Sequence, residues 1–429
     1  MVSWQRSVSA LLSILTGALA PCFAPAGSLA PPTAITAIRN DTFERRDFPW
    51  SQNGAQAALD WVKENGGRVI LGAGELTLDR ALIVWDREVL EGLGRNTKLK
   101  LAGEPTSRIP ALCVGSHCRV ANMNIVGTGY LPHDRTPYNS KGVVAGTTGQ
   151  GGMEGTTIEG CYLSDWNTTA IDLMSHSKRN VLRNNSISRS GWEGIYVAIF
   201  CDSNDISHNA ILDCRRNAID VVGSHNLVVG NTVRGVGLDS LEFAWDTYGI
   251  LVYSNRDWTG HVSGNVVRGN TVESCYDGIA VLASNASVNE GTVVEGNDVF
   301  QNRRYGIWVG SASAKKPYAI VQDINIRGNE VRQNAKDGII LKPVSRRVGI
   351  VDNHIFENGT SGIHIQSAPE AVDSVVIREN VVHNNREMGV EIDSLVVRSL
   401  ITENVIARNG GVSIRDTGIG TTVVRNRAE

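Results

Sequence analysis

The sequence lacks the features that would place it in several large functional classes. It has no long run of lysine and arginine, and 41 basic against 44 acidic residues leave a net charge of −3. Nucleic acid is therefore not expected as a partner, because a phosphate backbone needs a basic patch or stripe. Beyond the N-terminus no apolar stretch is long enough to cross a membrane. The 7 cysteines and 9 histidines show no zinc-site spacing. What the chain has in quantity is glycine, 45 residues that suit frequent tight turns, and asparagine at regular intervals.

The one long apolar run comes first. Arg6 precedes Val8 to Ala20, and Ala18-Leu19-Ala20 is a small-x-small pattern. Residues 1–27 read as a signal peptide, which predicts a secreted or periplasmic protein. Residues 28–47 read as a linker and residues 48–429 as one folded domain. In an oxidising compartment Cys113 and Cys118, close in sequence, are candidates for a disulfide, whereas Cys161 and Cys275 read as small buried apolar residues.

The asparagines mark a repeat. From Asn185 through 209, 231, 270, 297, 329, 353, 380 and 404 the spacings are 24, 22, 39, 27, 32, 24, 27 and 24. Before each comes a Gly-Ile-x-Val core, as in Gly194-Ile195-Tyr196-Val197 and Gly362-Ile363-His364-Ile365. Short β-branched alternations between Gly, Asn and Asp are strand chemistry with turn punctuation. Three short strands and their turns fill one such unit. Stacked units bury continuous columns of Ile and Val, so each repeat is stabilised by its neighbours. A stacked Asn side chain can satisfy backbone groups left unpaired in a buried turn. The long spacings read as insertions, the largest running from Gly235 to Tyr248. Ahead of the repeats, Ala55, Ala58, Leu59 and Val62 stand at helical spacing, and Asn65-Gly66-Gly67 ends the segment. A short helix there would cap the open end of the first coil.

This pattern resembles the right-handed parallel β-helix superfamily of pectate lyases, polygalacturonases, mannuronan C5-epimerases and phage tailspikes, over about residues 48 to 427. The resemblance implies an all-β, single-stranded right-handed parallel β-helix with a short N-terminal capping helix. It implies a polysaccharide as the partner. The C5-epimerases carry Asp-Pro-His after the strand; Ala170-Ile171-Asp172-Leu173-Met174 keeps the strand and the Asp without Pro-His. A Pro132-His133-Asp134-Arg135 run lies outside the repeat.

In Gly-Ile-x-Val the apolar residues point inward and x points outward. The x positions form one column: Asp172, Tyr196, Asp220, Leu251, Ala280, Trp308, Ile340, His364, Glu391 and Ser413. Its first part, Asp-Tyr-Asp on consecutive coils, is the candidate catalytic centre, with His176 and Lys178 as further acid or base candidates. Trp192, Glu193, Arg215, Arg216, His225, Trp245 and Trp308 are candidate substrate-binding residues. His364 and Glu391 read as solvated. In a uronate polymer, removing the C5 proton makes a carbanion beside the carboxylate. Cations must neutralise that charge, and an acid and a base must move the protons. The leading expectation is lyase or C5-epimerase chemistry on an acidic glycan. The alternatives are an inverting glycoside hydrolase using Asp172 and Asp220 two coils apart, and a non-catalytic binding or scaffold protein. No cofactor is required by this reading. The resemblance admits a Ca2+ ion, which several β-helix lyases use.

Overall fold

The computed structural model describes residues 34–103, 109–130, 141–146, 151–237, 247–257, 260–312, 319–367 and 370–428. Within the unit 33–429 the chain winds as a parallel solenoid. A typical coil holds three short strands, such as Ile171–Leu173, Val181–Arg183 and Ser186–Ser190. One face of the solenoid is a sheet of 13 strands stacked in chain order; the other strands join in a second sheet.

The Gly-Ile-x-Val core builds the 13-stranded face. Ile171 pairs with Ile195 and Leu173 with Val197, and the same register carries on through Ile219 and Val221. These side chains are fully buried. The repeated glycine has a steric reason. A Cβ on Gly306 would lie 2.6 Å from the carbonyl oxygen of Gly338 on the next coil and 2.4 Å from Val331 Cγ1. Only hydrogen fits there without opening the stack.

The asparagine ladder is continuous. Asn209 donates its backbone N–H to Asn231 Oδ1 at 2.9 Å, and its side-chain amide reaches Asn231 Oδ1 at 3.0 Å and Leu182 O at 2.8 Å. Cys161 takes the place of Asn at the start, accepting no such bond with its side chain while its N–H donates to Asn185 Oδ1 at 3.1 Å. Two further ladders flank the first. Asn180, Asn204, Asn226 and Asn265 form one, and Asn302, Asn334, Asn358, Asn385 and Asn409 the other.

The expected capping helix spans Gln52–Asn65, with Ser51 accepting from Gly54 N–H at 3.0 Å as its N-cap. Ala55, Ala58, Leu59 and Val62 face the core. Part of the stretch read as a linker is structured instead. Strands Ile35–Ile38 and Arg45–Phe48 pair antiparallel, and the first also pairs with Arg68–Leu71. Ile35 and Ala37 are fully buried, an alternation too short to stand out among the surrounding Pro, Ala and Thr. The expected Cys113–Cys118 disulfide is not formed: both thiols are free and buried. Cys113 sits in the 13-stranded face between Ile83 and Val144, while Cys118, beyond the turn, donates its thiol to Trp85 O at 2.8 Å. Cys161 and Cys275 are buried in the core as expected. Among the described residues no helix is long and apolar enough to cross a membrane.

Candidate active site

The x positions do stack in one column. Asp172 pairs with Tyr196, Tyr196 with Asp220, and the register runs on through Leu251, Ala280, Trp308, Ile340, His364 and Glu391. Its last member is Arg415 and not Ser413, because the final coil is displaced by two residues relative to the simple count.

Asp172, Tyr196 and Asp220 open into a cavity of about 480 Å³, which Trp192, Glu193 and Arg216 also line. Six of the residues picked out from sequence therefore meet in one place. The corners before the core strands supply Trp192, Glu193 and Arg216, and the strands supply the three column residues. Asp172 is 3% exposed. Lys141 Nζ donates to its Oδ2, while its Oδ1 has no hydrogen-bond partner. Burial pushes the Asp172 pKa up, against Lys141, which pulls it down. Glu193, equally buried, accepts from Thr169 Oγ1 at 3.0 Å and pairs with Arg216 at 3.5 Å. Burial raises its pKa too, against the pull of Arg216. Tyr196 lies between the carboxylates. Burial and then the charges of Asp220, Glu193 and Asp172 raise its phenol well above the ordinary tyrosine value. Asp220 Oδ2 accepts from Asn217 Nδ2 at 2.9 Å, and Asn217 Oδ1 in turn accepts the Tyr248 N–H at 3.0 Å. The guanidinium of Arg216 stands 5.2 Å from the Trp192 ring centre.

Other predicted residues lie elsewhere. His176 is exposed and stacks near Phe200, with ring centres 5.1 Å apart. Lys178 pairs with Glu154 at 3.4 Å and His225 with Asp202 at 2.9 Å. These three sit on the adjoining corner, where Glu154, Lys178, Asp202 and Ser224 stack. The chain turns immediately after Leu173, with His176 at φ 69°, so four residues of sequence carry a side chain off the face of Asp172. Arg215 is buried and does not line the cavity. Trp308 continues the column next to Tyr248, ring centres 5.8 Å apart. Trp245 and the Pro132–Arg135 run lie outside the described residues. Lys141, Thr168, Thr169, Asn217, Tyr248 and Tyr253 were not legible as site residues; Lys141 stands just before Gly142-Val143-Val144, one coil ahead of Asp172, and its register was the available signal.

His364 and Glu391 are not solvated. Glu391 is 8% exposed, accepts from Ser361 Oγ at 2.8 Å and pairs with Arg415. His364 lies 3.4 Å from Asp337, 3.9 Å from Glu391 and 3.5 Å from Asp393. Burial pulls its pKa down but is outweighed by these carboxylates, led by Asp337, so the imidazole titrates above its ordinary value.

A family model described as a right-handed beta helix region matches residues 115–318. The chain is a right-handed parallel β-helix. A second family model, described as a periplasmic copper-binding protein (NosD), matches residues 243–427 of this β-helix. Among solved structures, the A-module of the Azotobacter vinelandii mannuronan C-5 epimerase AlgE4 is similar, at 18% identity and a TM-score of 0.56, over 87% of this chain and 95% of that one. A tailspike protein of E. coli bacteriophage HK620, in complex with a pentasaccharide, superposes with a TM-score of 0.61 at 14% identity, over 87% of this β-helix and 76% of its own chain. An exopolygalacturonase from Thermotoga maritima gives 0.55 at 13% identity, over 71% and 83%. No curated protein matches the sequence.

Proposed function

We propose that this β-helix is a secreted or periplasmic polysaccharide lyase acting on a uronate-containing glycan, with Asp172 as base and Tyr196 as acid. The observation that carries the reading is the Asp172–Tyr196 pair on adjacent coils, Asp172 buried and Tyr196 partly buried, with Lys141 and Arg216 in the same cavity. The similar epimerase, hydrolase and tailspike structures support a glycan as substrate.

In the proposed step the sugar lies against the 13-stranded face. Lys141 and Arg216 neutralise its carboxylate, which acidifies the C5 proton. Asp172 Oδ1, raised in pKa and free of a hydrogen bond, accepts that proton. The electron pair of the C5–H bond forms the C4–C5 double bond. The C4–O4 bond breaks, and the departing oxygen takes the proton of Tyr196, whose raised pKa keeps the phenol protonated and ready to donate. Base and acid rise from one sheet and approach the sugar from one side, which suits elimination better than epimerisation. C5-epimerisation, which returns a proton to the opposite side, is the second reading, favoured by the extent of the superposition on the epimerase module.

Asp172, Glu193 and Asp220 are hard oxygen donors of the kind Ca2+ takes. Lys141 and Arg216 already pair with two of them, so no step is routed through an ion. Copper, named in one family description, finds a poor fit within residues 243–427. The donors that converge among the described residues there are His364, Glu391 and Asp393, an oxygen-rich set with Arg415 already on Glu391. The Cys275 thiol is fully buried, its pKa pushed up to about 12. Incubation with polyuronates, following unsaturated uronate by absorbance and C5 configuration by NMR, tests the proposal. Unsaturated product supports a lyase, inverted C5 without cleavage supports the epimerase, and reducing ends alone support a hydrolase and overturn the proposal.

A further inference from the structure

Trp308 stands four coils beyond Tyr196 in the column, about 19 Å along the solenoid at the spacing of parallel strands. Rings and cations gather around it. Arg304 donates through Nε to the fully buried Asp277 at 2.9 Å, and its guanidinium lies 4.9 Å from the Tyr276 ring centre and 5.2 Å from that of Trp308. The charge of Arg304 is thus matched. Lys342 differs. Its ammonium lies 4.0 Å from the Trp308 ring centre and 5.0 Å from that of Tyr305, and no carboxylate pairs with it among the described residues. Burial, helped by Arg304, pulls its pKa down to about 8. A desolvated cation beside Arg304 and Lys336, only partly offset by the charges of Asp277 and Asp337 and in no ion pair among the described residues, is costly unless something negative arrives.

Two more observations point to a ligand. Trp308 is 6% exposed, and its buried Nε1–H has no hydrogen-bond partner. Gly310, at φ +140°, leaves out a side chain whose Cβ would lie 2.9 Å from Lys342 Cβ and 2.8 Å from its carbonyl oxygen. The backbone makes room for Lys342 to lie over the rings. The cluster also adjoins the cavity: Tyr248, Leu282 and Ala312 line it, and Tyr248 contacts Trp308.

We infer that Lys342, Trp308 and Tyr305 form an anion-binding subsite that takes the carboxylate of a second acidic sugar, several units along the glycan from the one at Asp172. The inference rests on the acidic-glycan reading of the cavity and adds that charge is read at two separated points. Tyr305, only partly buried, supplies the apolar face on which a sugar stacks, Lys342 Nζ supplies the charged donor to its acid group, and the unpartnered Trp308 Nε1–H lies beside it as a second donor.

The test is calorimetric titration of the whole protein with a uronate octasaccharide, a uronate disaccharide and the carboxyl-reduced octasaccharide. Lys342→Met is expected to weaken the uronate octasaccharide about tenfold, the loss of one charge-assisted contact, while leaving the disaccharide and the neutral octasaccharide unchanged. Lys342→Arg, which keeps the charge, should recover most of that loss and serves as the second variant if Met disturbs folding. Equal affinity of wild type and Lys342→Met for the acidic octasaccharide, or an equal loss on the neutral one, overturns the subsite while leaving the cavity reading intact. Failure of wild type to bind either uronate oligomer overturns both.

Discussion

Asp172 and Tyr196 carry the proposed chemistry, and each has a distinguishing substitution. Asp172→Asn keeps the shape and removes the base; turnover should fall by about 10²- to 10⁴-fold with a smaller change in KM. Tyr196→Phe should do the same on a 4-O-linked polymer and less when the leaving group is a good one, since only a poor leaving group needs the acid. The pH dependence follows from the direction of the shifts. Asp172 must be ionised to act, and burial raises its pKa, so activity should fall as pH drops through a value above the ordinary carboxylate range. Tyr196 must be protonated, and its raised pKa removes any alkaline loss below the ordinary tyrosine value. Lys141 pulls the Asp172 pKa down, so Lys141→Met should move the acid limb of the pH–rate profile to higher pH. A limb that stays in place would exclude Asp172 as the titrating base.

At the scale of the element, the strands and their asparagines were the part most open to sequence reading. Inward Ile and Val recur at each core, and the spacing of one asparagine series gives the coil length directly. The two flanking ladders were also present in the sequence, each five residues from the first: Asn204 before Asn209, and Asn334 after Asn329. Corners were harder. His176, Lys178 and His225 are close in sequence to the column, yet a turn sets them on another face; nothing in local composition records that change of direction. Lys141 was invisible for the opposite reason, being one coil away in sequence and adjacent in space. The ladders should be load-sharing in their interior. Asn231→Ala leaves the buried Asn209 N–H and the Ile206 carbonyl of the preceding coil unpaired and should cost about 1–3 kcal/mol, read by denaturant unfolding. Asn426→Ala, at the half-exposed last rung, should cost less than Asn231→Ala. Equal losses at the two positions would contradict the ladder's role.

Among the described residues the solenoid is held by stacking and not by cross-links. All six described cysteines are free and buried, with the thiols of Cys118, Cys161, Cys201, Cys214 and Cys275 pushed up to about 12 by burial. A reductant should therefore leave the thermal midpoint unchanged in calorimetry; a fall of several degrees would reveal a disulfide. The same stacking places function. Because every coil repeats the register of the last, one outward position per coil becomes a continuous wall, and its composition changes along the axis. Acid groups and Tyr196 give way to rings and cations near Trp308, and then to the His364 cluster. The candidate site is legible as a column of x residues, whereas the cavity that encloses it depends on side chains from several coils.

The most direct test of the central claim is to incubate purified wild type and Asp172→Asn with a panel of polyuronates and follow the absorbance of unsaturated uronate. The account predicts unsaturated product on at least one polymer with wild type and its loss, by a factor of about 10² or more, with Asp172→Asn. Unsaturated product formed equally by both proteins would contradict it.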